Sequence, residues 1–374
     1  WQLTVDSANN PLFGNTTAAP LITTVFISPS PGADPKEVAV AVLPGGASND
    51  DGGDGGTGAG CDTPTNTRVG QAAGYERRGK VRCYPVSPSA GQPSRSVTIV
   101  RLDSGEILTT FRNKPADVDP LSPSVTPRLV VSSARVKDTP LTSPITGQPA
   151  AFPAGVGAVS DRVYVGDADG VVWRIDLSST DPSRWVMEPF FDAYNAAVDP
   201  PTDADGAAMT LTGGMAEAGQ PIFTAPVVST DQSGAVILNF STGNQDFVDA
   251  PYFPATVTAY ASAGETLPAM GTVWSVREVQ DIGSGTLRVD PRWFLRLPGG
   301  ERVTGPLQLF NGQVFFTSMW PVSGMGICTE GETRVWGLDY AVPHDAADPS
   351  AGGLARYPVA CAEPHAGACY DRCV

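Results

Sequence analysis

The sequence predicts an all-β fold built from repeated antiparallel hairpins, and three observations predict it. First, the 374-residue chain contains 41 Gly and 35 Pro, while only 17% of its residues are charged, which is typical of short strands joined by turns. Second, apolar and polar residues alternate in several short runs. Third, turn signals ending in glycine recur at Gly105, Gly170 and Gly234, roughly 65 residues apart. This self-similarity favours a β-propeller with insertion-rich blades over a β-sandwich.

The clearest hairpin lies in residues 162–177. Valines alternate in an extended run before its turn, and Trp173 begins a second run of the same period. Between the runs, Asp169 and Gly170 tolerate the positive φ of a tight turn, and Asp167 serves the same turn. We therefore predict an antiparallel hairpin in which Asp169 and Gly170 are structural turn residues and Trp173 is a buried core anchor.

The other strands follow from the same alternation. No window has the period of a long amphipathic helix, because Pro interrupts the stretches rich in Ala and Leu. The strands are predicted at residues 1–5, 20–27, 37–43, 96–111 (a hairpin turning at 103–105), 221–228, 235–240, 257–260, 273–276, 293–297, 307–316 (a hairpin turning at 311–312) and 334–339, and a Pro-rich connection leads through residues 129–133 to the hairpin at 162–177.

Residues 1–374 are interpreted as a single propeller domain with two irregular regions. Residues 44–95, rich in Gly, Asp, Pro and Ser, are predicted to form a surface insertion, and residues 340–374 form a C-terminal tail. Within the insertion, residues 53–58 match the glycine fingerprint of dinucleotide-binding proteins. No helix is predicted after them and the neighbouring aspartates would repel a pyrophosphate, so the match is interpreted as a coincidence.

The cysteines predict disulfide bonds and an oxidising compartment. Their number is even, they lie on Gly- and Pro-rich loops, and none of them forms a C-x-x-C pair. With only two histidines in the chain, a zinc site is disfavoured. Separation along the chain makes Cys61–Cys83 the natural first pairing, with the other four tying down the tail. The six are Cys61, Cys83, Cys328, Cys361, Cys369 and Cys373.

Charge and hydropathy exclude two classes of partner. The formal net charge of −15 disfavours nucleic acid, since phosphate binding requires clustered Lys and Arg. No apolar run approaches the length needed to span a bilayer. Because the chain begins at Trp1 without a signal peptide, we expect a processed or truncated piece of a longer protein.

No catalytic residue and no cofactor are predicted. His344 and His365 lie in Pro-rich tail sequence without a nucleophile context, and the Gly-x-Ser-x-Gly nucleophile motif is absent. Tryptophans at strand positions are interpreted as core rather than as platforms for a quinone. Asp199, Asp203 and Asp205 are weak calcium candidates, but they lack the ligand pattern of a calcium loop, so a solvated turn is favoured.

Four stretches share the pattern of one known family. They are residues 1–4 with 12–22, residues 161–178, residues 219–228 with 238–243, and residues 305–318 with Cys328 and 335–339. In this order, and over nearly the whole chain, they resemble the C-terminal β-propeller domain of the PilY family. That family comprises the tip-associated adhesin and assembly proteins of bacterial type IV pili.

The resemblance implies a protein that acts by binding, without enzymatic activity. It implies an extracellular pilus-tip protein that promotes pilus assembly and cell adhesion. Its partners would be the minor pilins of the tip complex, the upstream N-terminal region of the same protein, and a ligand on a surface or host. The segment matching Trp1 lies inside the family's domain, so we expect the propeller to be incomplete in this chain. The family's Asp-rich calcium loop is replaced by residues 154–161, so calcium binding is not carried over.

Two other functions stay open on the sequence alone. The motif G-D-x-x-G-x-x-W-R also occurs in quinoprotein dehydrogenases, so a quinoprotein-like dehydrogenase propeller is one alternative. A structural component of a surface filament is the other. A bound quinone would distinguish the enzyme from the binding protein.

Overall fold

The protein is all-β over the residues that the structure describes. A computed structural model describes residues 1–4, 12–14, 17–46, 95–112, 136–139, 141, 143–153, 157–168, 170–193, 221–231, 233–243, 271–280, 287–297, 302–320 and 332–339. Over these ranges the chain forms strands β1 to β17 in four sheets, with one short 3-10 turn. It divides into two compact units, Trp1–Asp192 and Ala193–Val374.

Sheet 1 of the first unit is a meander with a parallel edge strand. β1 (Leu21–Ile27), β2 (Lys36–Pro44), β3 (Ser96–Arg101) and β4 (Ile107–Arg112) pair antiparallel in chain order, and β5 (Val136–Asp138) pairs parallel to β4. On one face, alternate apolar side chains of β1 to β4 are buried, as the pleat of a sheet with a covered face requires. One bulge interrupts the register between β3 and β4.

Sheet 2 completes the first unit. β6 (Ala150–Phe152), β7 (Arg162–Gly166), β8 (Val171–Asp176) and β9 (Val186–Asp192) pair antiparallel in chain order. The 3-10 turn Pro182–Arg184 lies between β8 and β9. Its N-terminal end is capped by the aspartate before it, which is a preferred capping residue.

Hydrogen bonds and a common apolar core join sheets 1 and 2. Thr24 of β1 forms a parallel bridge with Val159, just before β7. The hydroxyls of Thr23 and Ser160 lie 2.6 Å apart. The core contains Val25, Ile27, Val40, Val42, Val97, Ile99, Phe111, Leu141, Ile145, Ala151, Val163, Val165, Val171, Trp173, Ile175, Leu177, Trp185 and Met187.

Sheet 3 of the second unit is an antiparallel meander. β10 (Val227–Thr230), β11 (Val236–Gly243), β12 (Gly271–Gln280) and β13 (Leu287–Arg296) pair in chain order. A bulge at Ser275/Val276 shifts the register between β12 and β13. Because paired residues share a face, each cross-strand row presents its side chains to one side of the sheet.

Sheet 4 is centred on its third strand. β14 (Arg302–Val303) and β15 (Gln308–Phe310) both pair with one edge of β16 (Gln313–Trp320), and β17 (Glu332–Asp339) pairs with the other edge. Sheets 3 and 4 pack through a second apolar core. It contains Val273, Trp293, Leu295, Leu297, Val303, Leu307, Val314, Phe316, Trp336 and Leu338.

The predicted fold class is confirmed: the described residues are all-β, in sheets built around antiparallel hairpins and consistent with the blades of a propeller-like fold. The predicted turns are also confirmed. Gly105, Gly170, Gly234 and Gly312 have φ of +74°, +86°, +84° and +78°. These values lie in the left-handed region, which glycine adopts without steric cost.

Several strand predictions need correction. The strand predicted at residues 1–5 is wrong over residues 1–4, which belong to no sheet. A short apolar alternation cannot pair unless a free strand edge lies within reach, and Trp1 is held by its side chain instead. The strand predicted at 221–228 begins only at Val227. β5, β6, β9 and β14 were not predicted, and all four are short or interrupted by polar residues and Pro.

Some predicted features lie outside the described residues. The interpretation of residues 1–374 as one domain stays a prediction. Among the described residues, no helix is long and apolar enough to cross a membrane. The features outside are the connection at 129–133, the strand at 257–260, residues 47–94 of the insertion, the tail 340–374, His344, His365 and all six cysteines.

Candidate functional site

The carboxylate of Asp167 organises the turn of the hairpin that β7 and β8 form. Its Oδ1 accepts the backbone N–H of Val171 at 2.9 Å, and its Oδ2 accepts the indole Nε1–H of Trp173 at 3.0 Å. Asp167 is 1% exposed and Trp173 is 3% exposed. The backbone N–H of Asp167 also donates to the Val171 carbonyl at 2.9 Å. A single buried carboxylate therefore fixes both the turn and the orientation of the aromatic core residue.

The β10–β11 turn of the second unit repeats this arrangement. Oδ1 of Asp231 accepts the backbone N–H groups of Ser233 at 2.8 Å and Ala235 at 2.9 Å. The N–H of Asp231 donates to the Ala235 carbonyl at 2.9 Å. Burial raises the pKa of Asp231, but the hydrogen bonds from Ser233 and Ala235, together with the charge of Arg277, outweigh burial and leave that pKa below its usual value. Both turns share the sequence D-x-x-G, followed by the residue whose N–H the carboxylate accepts.

On the other face of β8, Arg174 joins two strands through ion pairs. Its Nη1 lies 3.2 Å from Oε1 of Glu188 on β9 and 3.4 Å from Oδ2 of Asp176. Burial raises the pKa of Asp176, but the hydrogen bonds from Ser178 and the charge of Arg174 outweigh burial, so the pKa is lowered overall. The carboxylates are half exposed, so these pairs fix register more than they stabilise the fold.

A lysine of sheet 1 binds the carbonyl groups of the 3-10 turn in sheet 2. Nζ of Lys137 donates to the Ser183 carbonyl at 2.7 Å and to the Trp185 carbonyl. Thr109 Oγ1 donates to the Pro182 carbonyl at 3.2 Å. Burial lowers the pKa of Lys137, because the charged ammonium loses water. The Pro182 carbonyl also accepts the Trp185 N–H at 3.3 Å within the turn. The bonds from Lys137 and Thr109 hold β5 and β4 against the turn of sheet 2.

An exposed apolar surface lies on sheet 1, on the side facing away from the core. Ile22 is 65% exposed and Phe26 is 42% exposed, and both occupy the same face of β1. In the pairing of β1 with β2, Thr24 lies opposite Ala39 and Phe26 lies opposite Glu37, and both of these β2 residues are exposed. The surface formed by Ile22, Phe26 and Ala39 is named the β1 face. The β1 face therefore presents exposed apolar side chains beside a charged neighbour.

Trp1 lies beside the β1 face. Its indole Nε1–H donates to the Leu102 carbonyl at 3.0 Å, and the Leu102 N–H donates to the Ala39 carbonyl at 3.0 Å. The ring packs on Gly105, where an added Cβ would lie 2.6 Å from the Cγ of Trp1. Trp1 is nevertheless 63% exposed. The indole is therefore positioned by the sheet while most of its surface stays available to a partner.

The residues predicted as structural fall in two groups. Trp173 and Gly170 lie in the hairpin that Asp167 organises. Outside the described residues lie Asp169, the cysteines and the calcium candidates Asp199, Asp203 and Asp205. Within the described ranges, His, Cys, Asp and Glu side chains do not gather in groups of three or more that could hold a metal ion.

Sequence reasoning missed the β1 face and the second aspartate turn. In residues 21–27, apolar residues occupy both alternating positions, which signals that both faces of the strand have apolar surface. The D-x-x-G sequence that begins at Asp231 repeats the one that begins at Asp167. Comparing the turns by their aspartates, and not only by their glycines, would have revealed the repeated geometry.

Three solved structures resemble this chain at low sequence identity. No protein-family profile and no curated protein matches the sequence. The C-terminal domain of PilY1 from Pseudomonas aeruginosa is similar over 88% of this chain and 71% of its own, with 13% identity and a TM-score of 0.39. A family 32 β-fructofuranosidase from Bombyx mori is similar over 90% of this chain and 50% of its own, with 11% identity and a TM-score of 0.28. An α-L-arabinofuranosidase from Clostridium thermocellum is similar over 90% of this chain and 71% of its own, with 11% identity and a TM-score of 0.23. Likenesses this low assign neither a family nor an activity to this chain.

Proposed function

We propose that this chain is a non-enzymatic protein of the type IV pilus tip, located outside the cell, that promotes pilus assembly and surface adhesion. It acts by binding the minor pilins of the tip complex. The observation that carries the proposal is the order of the four PilY-like stretches in the sequence, together with the sheets in which those stretches lie.

Each PilY-like stretch with a hairpin pattern falls on a hairpin of a different sheet. Residues 161–178 form β7 and β8 of sheet 2. Residues 219–243 contain β10 and β11 of sheet 3. Residues 305–318 and 335–339 lie in β15 to β17 of sheet 4. The stretch that ends at residue 22 leads into β1 of sheet 1. The similarity in sequence therefore follows the modules of the fold, which supports a common architecture.

The β1 face and Trp1 provide the surface on which we expect a partner to bind. Aromatic side chains are enriched in the buried centre of protein interfaces. Phe26 and Trp1 are of this type, Ile22 adds apolar surface beside Phe26, and all three are exposed. Glu37, the register partner of Phe26, places a charge at the rim, where charges select partners.

The binding of minor pilins tests this function. The purified chain is immobilised, and binding of the minor-pilin complex from the same bacterium is measured by biolayer interferometry. The variant Ile22→Ser/Phe26→Ser is compared with Phe310→Ser, which removes a ring that is 73% exposed in the second unit. We expect wild type and Phe310→Ser to bind equally, and the double variant to bind at least about tenfold more weakly.

Results from genetics, binding measurements and spectroscopy could contradict the proposed function. A deletion strain that keeps normal piliation and adhesion, or a purified chain that does not bind minor pilins, would contradict the proposed function. If wild type and the double variant bind equally well, the pilus role stands and the β1 face is the wrong surface. A bound quinone absorbance that accompanies alcohol oxidation would favour the dehydrogenase alternative instead.

A further inference from the structure

A buried row of polar side chains crosses sheet 3. Asn239 of β11 pairs with Val227 of β10 and with Ser275 of β12, and Ser275 pairs with Trp293 of β13. Paired residues point to the same face, so these side chains lie together on the face that carries Val273 and Leu295 into the core shared with sheet 4. Asn239 and Ser275 are 0% exposed and Trp293 is 1% exposed.

The polar atoms of this row have no hydrogen-bond partner within the part of the chain that the structure describes. They are Oδ1 and Nδ2 of Asn239, Oγ of Ser275 and Nε1 of Trp293. Oγ of Ser229 is a fifth such atom, and Ser229 pairs with Ile237, two residues before Asn239 on the same face. The residues that carry these five atoms come from all four strands of sheet 3, with Ser229 in the cross-strand row next to that of Asn239.

Two buried indoles elsewhere in the protein find a hydrogen-bond partner among the described residues, in contrast with that of Trp293. The indole of Trp173 donates to Asp167, and the indole of Trp336 donates to Ser318 Oγ at 2.7 Å. A buried amide without hydrogen bonds is costly, because it has left water without compensation. A partner that both donates and accepts hydrogen bonds would satisfy the amide, hydroxyl and indole groups of this row together.

We propose that this row is an internal hydration site, in which one or two ordered water molecules bridge Asn239, Ser275 and Trp293 between sheets 3 and 4. Neighbouring Cβ atoms in such a row are about 4.5–5.5 Å apart, so one water molecule reaches side chains on adjacent strands. The indole donates only, the hydroxyl donates and accepts, and the amide supplies both groups. A water molecule with two donors and two acceptors satisfies this set, and buried waters typically make about three such bonds.

The indole protons of the protein itself provide the test. In ¹⁵N-labelled wild-type protein, the Nε1–H signals of Trp293, Trp336 and Trp173 are assigned from Trp→Phe variants, and nuclear Overhauser effects to water are measured. We expect a water contact with a long residence time at Trp293 and none at Trp336 or Trp173, whose indole protons are already donated within the protein. Ser275→Val puts a methyl group where the hydroxyl binds water, so the Trp293 contact should fall at least several-fold.

A crystal structure at high resolution gives an independent measurement if a variant fails to fold. Water density within hydrogen-bond distance of the Asn239 amide, and of either Ser275 Oγ or Trp293 Nε1, would support the site. The absence of water density beside these side chains would overturn the proposal. Direct hydrogen bonds among these side chains, or to another part of the chain, would overturn it as well. An absent water contact at Trp293 in the folded protein would overturn it as well. The proposal is independent of the pilus function.

Discussion

Removing the carboxylate of Asp167 should destabilise the first unit more than most single substitutions. The side chain accepts two buried donors, the Val171 N–H at 2.9 Å and the Trp173 indole N–H at 3.0 Å. Each buried donor left without a partner costs about 1–3 kcal/mol. Asp167→Ala should therefore lower the free energy of unfolding by about 2–6 kcal/mol. Asp167→Asn keeps one acceptor oxygen, so it should lose about half as much.

Urea unfolding, followed by circular dichroism, measures these free energies, and hydrogen exchange of residues 162–177 reports the hairpin locally. The matched control is Asp231→Ala, which removes the aspartate of the equivalent turn, where the Ser233 hydrogen bonds are solvent-exposed. Water can replace the carboxylate at the Ser233 donors, and only the Ala235 N–H is partly buried, so the cost should be about half that of Asp167→Ala. An Asp167→Ala protein that unfolds like wild type, with unchanged exchange in the hairpin, would refute the role assigned to this carboxylate.

Three further predictions concern packing, pH and the cysteines. Trp173→Ala should cost about 3–5 kcal/mol in urea unfolding, as a large-to-small change in a packed core, and a variant as stable as wild type would contradict that. The pKa values of Asp176 and Asp231 are lowered in the folded state, so their stabilising contribution is complete above the usual carboxyl pKa of 3.8 and is lost as pH falls through the folded values. Stability measured from pH 6 to pH 2 should fall less steeply in an Asp176→Asn/Asp231→Asn variant, and parallel curves would argue against this linkage. Thiol titration of the denatured, unreduced protein should find no free sulfhydryl, as expected if Cys61–Cys83 and the four later cysteines are oxidised, and free thiols would disprove the disulfides.

The hairpins were predictable because their signals are local. A Gly at positive φ, as at Gly170 and Gly234, is specified by the few residues of its own turn. Edge strands were harder to predict from the sequence. The seven-residue strand β9 contains Glu188 and Pro189, which interrupt the alternation of apolar and polar residues on which a sequence-based prediction relies. Its place in the sheet depends on pairing with β8, which is a tertiary contact.

The candidate surface depended on information that the sequence does not contain locally. Phe26 and Val25 are adjacent apolar residues of one strand, yet Val25 is buried and Phe26 is 42% exposed. Which of the two faces is covered depends on the sheet that packs against it, through contacts such as Thr24 with Val159. Apolar residues on both faces of β1 were visible in the sequence, but the exposed face could be identified only from the fold.

The hydrogen bond between Thr23 and Ser160 has a kinetic consequence. Its two residues are separated by 137 positions, whereas the Asp167 carboxylate and the residues that it binds are at most six positions apart. Closing a loop costs more conformational entropy as the loop lengthens, and chains dominated by distant contacts fold slowly. We therefore expect the hairpins of the first unit to form early and independently, and the docking of sheet 1 on sheet 2 to limit the folding rate. During that interval the apolar faces of both sheets are open to other chains, so folding yield should fall with protein concentration even where the native state is stable.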